Sequence, residues 1–184
     1  MKIVFLSNGY CHHQVYLSRK LYELTNGQFR FFAMAPLTEK RKKLGYPEIK
    51  DDFVDLFDGK NQDMQNIIDS ADVVIHGAAP EQWIANRKKL KKLIFRYSER
   101  PLKKGCQWYK YPYRFVKWHY FNPHKNPIYM LCASAYTAED YHKFGLFNGE
   151  CFKWGYFPEC KRYSNINELI SKKTRNEILW CGRF

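Results

Sequence analysis

What the chain lacks narrows its class. No apolar run approaches the roughly 20 residues that a membrane-spanning helix needs. The first residues carry one lysine, four apolar residues and then polar ones, too short a stretch for a secretory core. These features lead us to expect a cytoplasmic protein. The six cysteines, at 11, 106, 132, 151, 160 and 181, include no Cys-x-x-Cys pair and no zinc-like cluster with histidine. In a reducing compartment they read as free thiols, mostly buried, and no metal is expected. The three-glycine dinucleotide fingerprint is missing, and so are internal repeats and low-complexity tracts. Acid is scarce: 18 Asp and Glu face 31 Lys and Arg, a formal charge of +13. Between Arg87 and Lys117 there are 12 basic residues and one acid, Glu99. A field of one sign points to an anionic partner: nucleic acid, acidic lipid or a phosphorylated substrate.

What is present is a 184-residue chain that is 45% hydrophobic, enough for a core. Strand and helix signals alternate along it. Ile3–Leu6, Phe29–Met34, Phe53–Phe57, Asp72–His76, Leu93–Tyr97, Ile128–Cys132 and Cys151–Trp154 read as strands. His13–Leu24, Glu39–Leu44, Asn61–Ser70, Pro80–Lys89 and Thr137–Phe144 read as helices, with Thr25-Asn26-Gly27 and Gly45 as stops. The alternation predicts an α/β fold: a Rossmann-like, doubly wound parallel sheet in three layers. Ligands in such folds sit at the carboxyl ends of the strands. Strands one, four and five should be neighbours. Lys103–Asn126 reads as a long irregular insertion, of the kind that tends to be functional.

Five clusters carry candidate chemistry. Ser7-Asn8-Gly9-Tyr10-Cys11-His12-His13-Gln14 runs from a strand end into a helix start, a setting for phosphate or carboxylate. The plainer reading is an ordinary turn with surface histidines. Phe95–Arg100 gathers Arg96, Ser98, Glu99 and Arg100 at another strand end; we expect Arg96 and Arg100 to hold Glu99 ionised. In the third cluster Trp108, Tyr111, Phe115 and Trp118 fall three or four apart beside Lys110, Arg114 and Lys117. Pro112 should limit how much of it is one helix. With Lys103 and Lys104, such a stripe can lie on a membrane, stack on nucleobases, or pack its aromatics on the protein. In the fourth, Ser134 or Thr137 should cap the next helix, near Tyr136 and Asp140. The fifth, Lys153–Glu159, reads as strand, turn and hinge.

Taken together, "NGYCHHQ", "DVVIHGAAPE", "FRYSER", "CASAYTAEDY", "KWGYFPE" and the terminal "ILWCGRF" resemble the N-terminal half of bacterial retaining glycosyltransferases of the GT-B fold, which build surface polysaccharide. The likeness spans essentially the whole chain. It implies residues 1–160 as an acceptor-binding lobe, 161–176 as a linker and 177–184 as the first strand of a truncated donor lobe. It implies a nucleotide-sugar donor bound by the C-terminal lobe, no metal, and no cofactor in this chain. The partners would be an acceptor sugar or lipid-linked sugar, the anionic inner face of the plasma membrane, and the chain's own C-terminal lobe. His13 and Glu99 would act in catalysis. Asn8, Gly9, His12, Gln14, Arg96, Ser98, Arg100, Ser134, Tyr136 and Lys153 would bind substrate. Relatives often carry a histidine after the fifth strand, where this chain has Ser98-Glu99-Arg100. On this reading the lobe is inactive alone and nucleic acid is not a partner. The alternative is a basic nucleic-acid-binding α/β module, or a nucleotide-binding domain of some other enzyme.

Overall fold

The computed structural model describes residues 1–57, 62–159 and 162–175. Seven strands form one all-parallel sheet: β1 (Ile3–Ser7), β2 (Phe29–Ala33), β3 (Val54–Leu56), β4 (Val73–His76), β5 (Ile94–Ser98), β6 (Ile128–Cys132) and β7 (Cys151–Lys153). Their spatial order is β3-β2-β1-β4-β5-β6-β7. The helices are α1 (His12–Leu24), α2 (Glu39–Lys43), α3 (Gln62–Ser70), α4 (Ala85–Lys89), α5 (Tyr111–Phe121), α6 (Thr137–His142) and α7 (Ile166–Ser171). This is the Rossmann-like, doubly wound α/β architecture. β1 pairs with β2 on one side, Ile3 opposite Phe29, and with β4 on the other, Ile3 opposite Val73. The order of strands reverses at that β1–β4 seam, and strands one, four and five are indeed neighbours.

A parallel sheet is covered on both faces, so its strands are apolar throughout rather than alternating. All five residues of β1 are buried. Val4, Leu6, Val74, Ile94 and Met130 turn to one face, where Met64 and Ile68 of α3 meet Ile84 and Phe144. Ile3, Phe5, Phe31 and Ile75 turn to the other, against Leu17 and Leu21 of α1. Leu24, the last of that helical spacing, points to solvent. Helix α1 stops where expected: Asn26 and Gly27 take positive φ, and the Gly27 amide reaches back to the Tyr22 carbonyl.

Three expectations change. Lys103–Asn126 is largely ordered: a 3-10 turn, Trp108–Lys110, leads straight into α5. Pro112 lies in the first turn of α5, where its missing N–H costs nothing, and it limits the α-helix to the part of the stretch from Tyr111 on, as expected. The segment after Pro80 is a 3-10 turn, Glu81–Ile84, before it becomes α4. Neither Ser134 nor Thr137 caps α6 by its side chain. Tyr136 holds the cap position, and the buried Thr137 hydroxyl has no partner among the described residues. Within 162–175, α7 is exposed. The expected final strand at 178–181 lies outside the described residues.

Candidate functional site

A cleft of about 770 Å³ opens at the carboxyl ends of β1, β4 and β5, over the seam where the strand order reverses. In open α/β sheets, diverging crossovers leave a crevice there for ligands. Three of the sequence clusters converge on it. From the first come Asn8, His13 and Gln14; from the second, Arg96, Ser98 and Glu99; from the third, Lys117 and Trp118. Gly9, His12, Arg100, Ser134, Tyr136 and Lys153 are not on its walls, nor are Lys103, Lys104, Trp108, Lys110 and Arg114.

The floor is a polar network centred on Arg96, which is nearly fully buried. Its two terminal nitrogens grip the Glu81 carboxylate at 2.6 and 2.9 Å. The same nitrogens donate to His76 Nδ1 at 2.9 Å and to the Phe121 carbonyl at 2.8 Å, while Nε donates to Asn122 Oδ1 at 2.8 Å. All five N–H donors of the guanidinium are thereby occupied. Arg96 therefore has none left for a ligand, and its assignment to substrate binding gives way to a role in building the floor. It does not hold Glu99.

This network also fixes a tautomer. Arginine only donates, so His76 Nδ1 accepts and its proton sits on Nε2, 3.4 Å from the Pro80 carbonyl. Burial, with the Arg96 charge added, pushes the His76 pKa down to about 4. Burial would raise Glu81, but the hydrogen bonds and charge of Arg96, helped by Lys88, outweigh it and hold the carboxyl below its ordinary value. Neither His76 nor Glu81 was singled out from sequence. The available signal was a histidine ending a buried strand, followed by a proline and a glutamate.

The rim differs from the floor. His13 packs at a tilt between His12, at 3.9 Å between ring centres, and Tyr156, at 4.7 Å. Tyr156 comes from the segment after β7, whose Phe157 amide also donates to the His13 carbonyl. Burial, then the charge of His12, lowers the His13 pKa, while Glu99 pulls the other way. His13 is neutral at physiological pH, and its buried Nδ1 has no partner among the described residues. Glu99 pairs with Lys103, not with either arginine. Arg100 turns away to the fully buried Asp140, 3.0 Å from Nε, and lies over the Tyr136 ring. Gln14 is spent on the turn: its Oε1 accepts from the Cys11 amide and its Nε2 donates to Ser7 Oγ. Arg41 and Lys117 add positive charge to the walls. Tyr97, raised to about 12 by burial and by Glu99, stays protonated.

Of the cysteines described, only Cys132 is buried; Cys11 and Cys151 are half-buried and Cys106 exposed, contrary to the expected burial. Among the described residues no three His, Cys, Asp or Glu side chains are grouped to share a metal ion. No helix among them is long and apolar enough to cross a membrane.

Fold and site together define an α/β protein of the Rossmann-like class, with a polar cleft at its topological switch point. The chain matches no family model, no curated protein and no solved structure.

Proposed function

We propose that the chain is the acceptor-binding lobe of a nucleotide-sugar-dependent glycosyltransferase acting in the cytoplasm. One observation carries the reading: the turn from Asn8 to Gln14 and the Ser98–Glu99 turn, far apart in sequence, line one cleft at the switch point. The cleft is large enough for a sugar ring or two and is walled by hydrogen-bonding groups, as sugar recognition requires. His13, neutral and on the cleft wall, can exchange a hydrogen bond with a sugar hydroxyl through its ring. Glu99 offers a carboxylate to the same space. A donor lobe carrying the nucleotide sugar would complete the reaction, with arginine, lysine and helix ends stabilising the leaving diphosphate. The residues best supported for contact with acceptor or transferred sugar are therefore His13 and Glu99, with Asn8 and Ser98 beside them.

The test is sugar transfer by the lobe joined to a donor-binding lobe, assayed over a panel of nucleotide sugars. His13→Ala and Glu99→Gln should each lower turnover tenfold or more, at least about 1.4 kcal/mol of transition-state stabilisation, with the melting temperature held. The lobe alone should not turn over. Full activity of both variants, or no transfer from any nucleotide sugar, would sink the proposal.

A further inference from the structure

Helix α5 and the turn before it carry two aromatic stripes. Of the one apparent in the sequence, two members turn inward: Tyr111 stacks on Phe144 at 4.6 Å, and Trp118 packs against Phe144 and Tyr141 at 4.5 and 5.1 Å, while Trp108 and Phe115 are exposed. Trp118 is thus tied to the core and to the cleft wall, and is not free to enter a membrane. A second stripe continues from Tyr109 in the turn to Tyr113, Val116 and Tyr120, which at three and four residues apart share one face of the helix. That face points outward: these residues are 60, 65, 68 and 77% exposed, and the neighbouring Trp108 is 82% exposed. Aromatic residues seldom stand so open in a row without a partner.

The charge around the stripe says what the partner is. From Arg100 to Ala138 the chain has no acidic residue. Lys110, Arg114 and Lys117 follow the stripe along one flank, and Lys117 lies over the Tyr113 ring at 5.6 Å. We propose that this outward face of α5 lies on an anionic membrane surface. Tyrosine and tryptophan settle at the headgroup level with the hydroxyl or indole N–H in water, and lysine stems reach the lipid phosphates. The 11-residue helix is about 16 Å long, enough to lie in the interface and too short to span it. A second copy of the chain is the poorer fit, since its matching face would bring like charges together. The centre of the stripe is the aliphatic Val116, which suits acyl chains better than bases. The inference is independent of what the cleft binds, but the two meet in one helix. Lys117, Trp118, Phe121 and Asn122 of α5 and its cap line the cleft, so a docked helix sets the cleft mouth beside the bilayer.

Flotation with phosphatidylcholine vesicles, with and without phosphatidylserine, tests it on the whole chain. Binding should need the acidic lipid, weaken with salt, and shift Trp108 emission to the blue, a shift lost in Trp108→Phe. Lys104→Ser/Lys110→Ser/Lys117→Ser should lower partitioning on the order of 100-fold, at about five-fold per cation. Tyr113→Ser/Val116→Ser/Tyr120→Ser changes only exposed positions and should lower it ~10-fold or more with the melting temperature kept. Equal binding to neutral vesicles, or no loss in either triple variant, would overturn the proposal. So would single-stranded RNA that displaces the vesicles at physiological salt, or a dimer that the stripe variant abolishes.

Discussion

Arg96 and Glu81 form a two-pronged ion pair, Nη1 to Oε1 at 2.6 Å and Nη2 to Oε2 at 2.9 Å, across the ends of β5 and β4. The pair ties together the two strands that border the cleft. Burial keeps His76 neutral, and the positive charge that the pair holds against it adds to the effect.

Acid should therefore unfold this protein early. The folded His76 titrates near 4, below its ordinary 6.5, so the unfolded chain binds the extra proton first as pH falls. Stability is intact above about pH 6.5 and is lost progressively toward pH 4, by about 3 kcal/mol from this group. Glu81, also depressed, adds loss of the same sign below its ordinary value. Urea unfolding from pH 7 to 4 should show the slope, and His76→Gln should flatten its upper part. An unchanged slope in that variant would mean that another group drives the loss.

Arg87 should be the costliest single residue of the fold. It is completely buried, and the charges of Asp69 and Asp72 favour its ionised form without accepting its hydrogen bonds. It donates instead to the carbonyls of Ile68, Ala71, Asp72 and Leu93, at 2.9, 2.7, 3.3 and 2.8 Å. These sit at the end of α3, before β4 and before β5, so one side chain ties three element ends. Arg87→Met leaves those carbonyls short of donors and should cost about 3 kcal/mol in denaturant unfolding. Arg87→Lys should recover little, because one ammonium cannot reach four carbonyls at once.

Asp140 should matter more as an acceptor than as a charge. It takes the Leu102 amide at 3.0 Å as well as Arg100 Nε. Asp140→Ala orphans a buried N–H and should cost about 2–3 kcal/mol. Asp140→Asn keeps an oxygen for that amide and should cost clearly less. Thermal melts of the pair decide it; equal losses would place the weight on the ion pair.

Gly77 sits where the end of β4 presses on β1. A Cβ there would stand 3.1 Å from the Leu6 carbonyl and 3.2 Å from the Tyr97 ring. The carbonyl belongs to the central strand and cannot swing away. Gly77→Val should cost about 1–3 kcal/mol. Chemical shifts of the cleft residues Ser7 and Tyr97 should move in the same variant; a neutral, unperturbed variant would show that the seam is softer than its contacts imply.

The strands were legible because a parallel sheet leaves a strong trace: apolar runs such as Ile3–Leu6 and Ile128–Cys132, closed by small or polar residues. Helix stops were legible where a glycine takes positive φ. Partnerships were not. Glu99 lies next to Arg100 in sequence, yet β5 ends in a way that sends Arg100 to Asp140, 40 residues on, and leaves Glu99 to Lys103. Glu81 lies 15 residues before Arg96 and meets it only because β4 and β5 are neighbours. Helix α5 misled for a different cause. Two aromatic stripes share it, and periodicity alone does not say which one the core takes. Phe144, beyond β6, makes that choice.

The position of β1 has a consequence for how the chain is made. Of the seven strands, β1 is made first, and it lies inside the sheet between β2 and β4. Its β2 partner, Phe29, follows 26 residues later, but Val73 on its other side is 70 residues away. At about 5–20 residues per second, that edge waits several seconds in the open. Five consecutive residues that end up wholly buried stand exposed there meanwhile, with unpaired amides beside them. Loop closure over so long a separation is slow in itself. Nascent-chain yield should thus depend more on chaperone capture of the segment between β1 and β4 than on the final stability of the sheet.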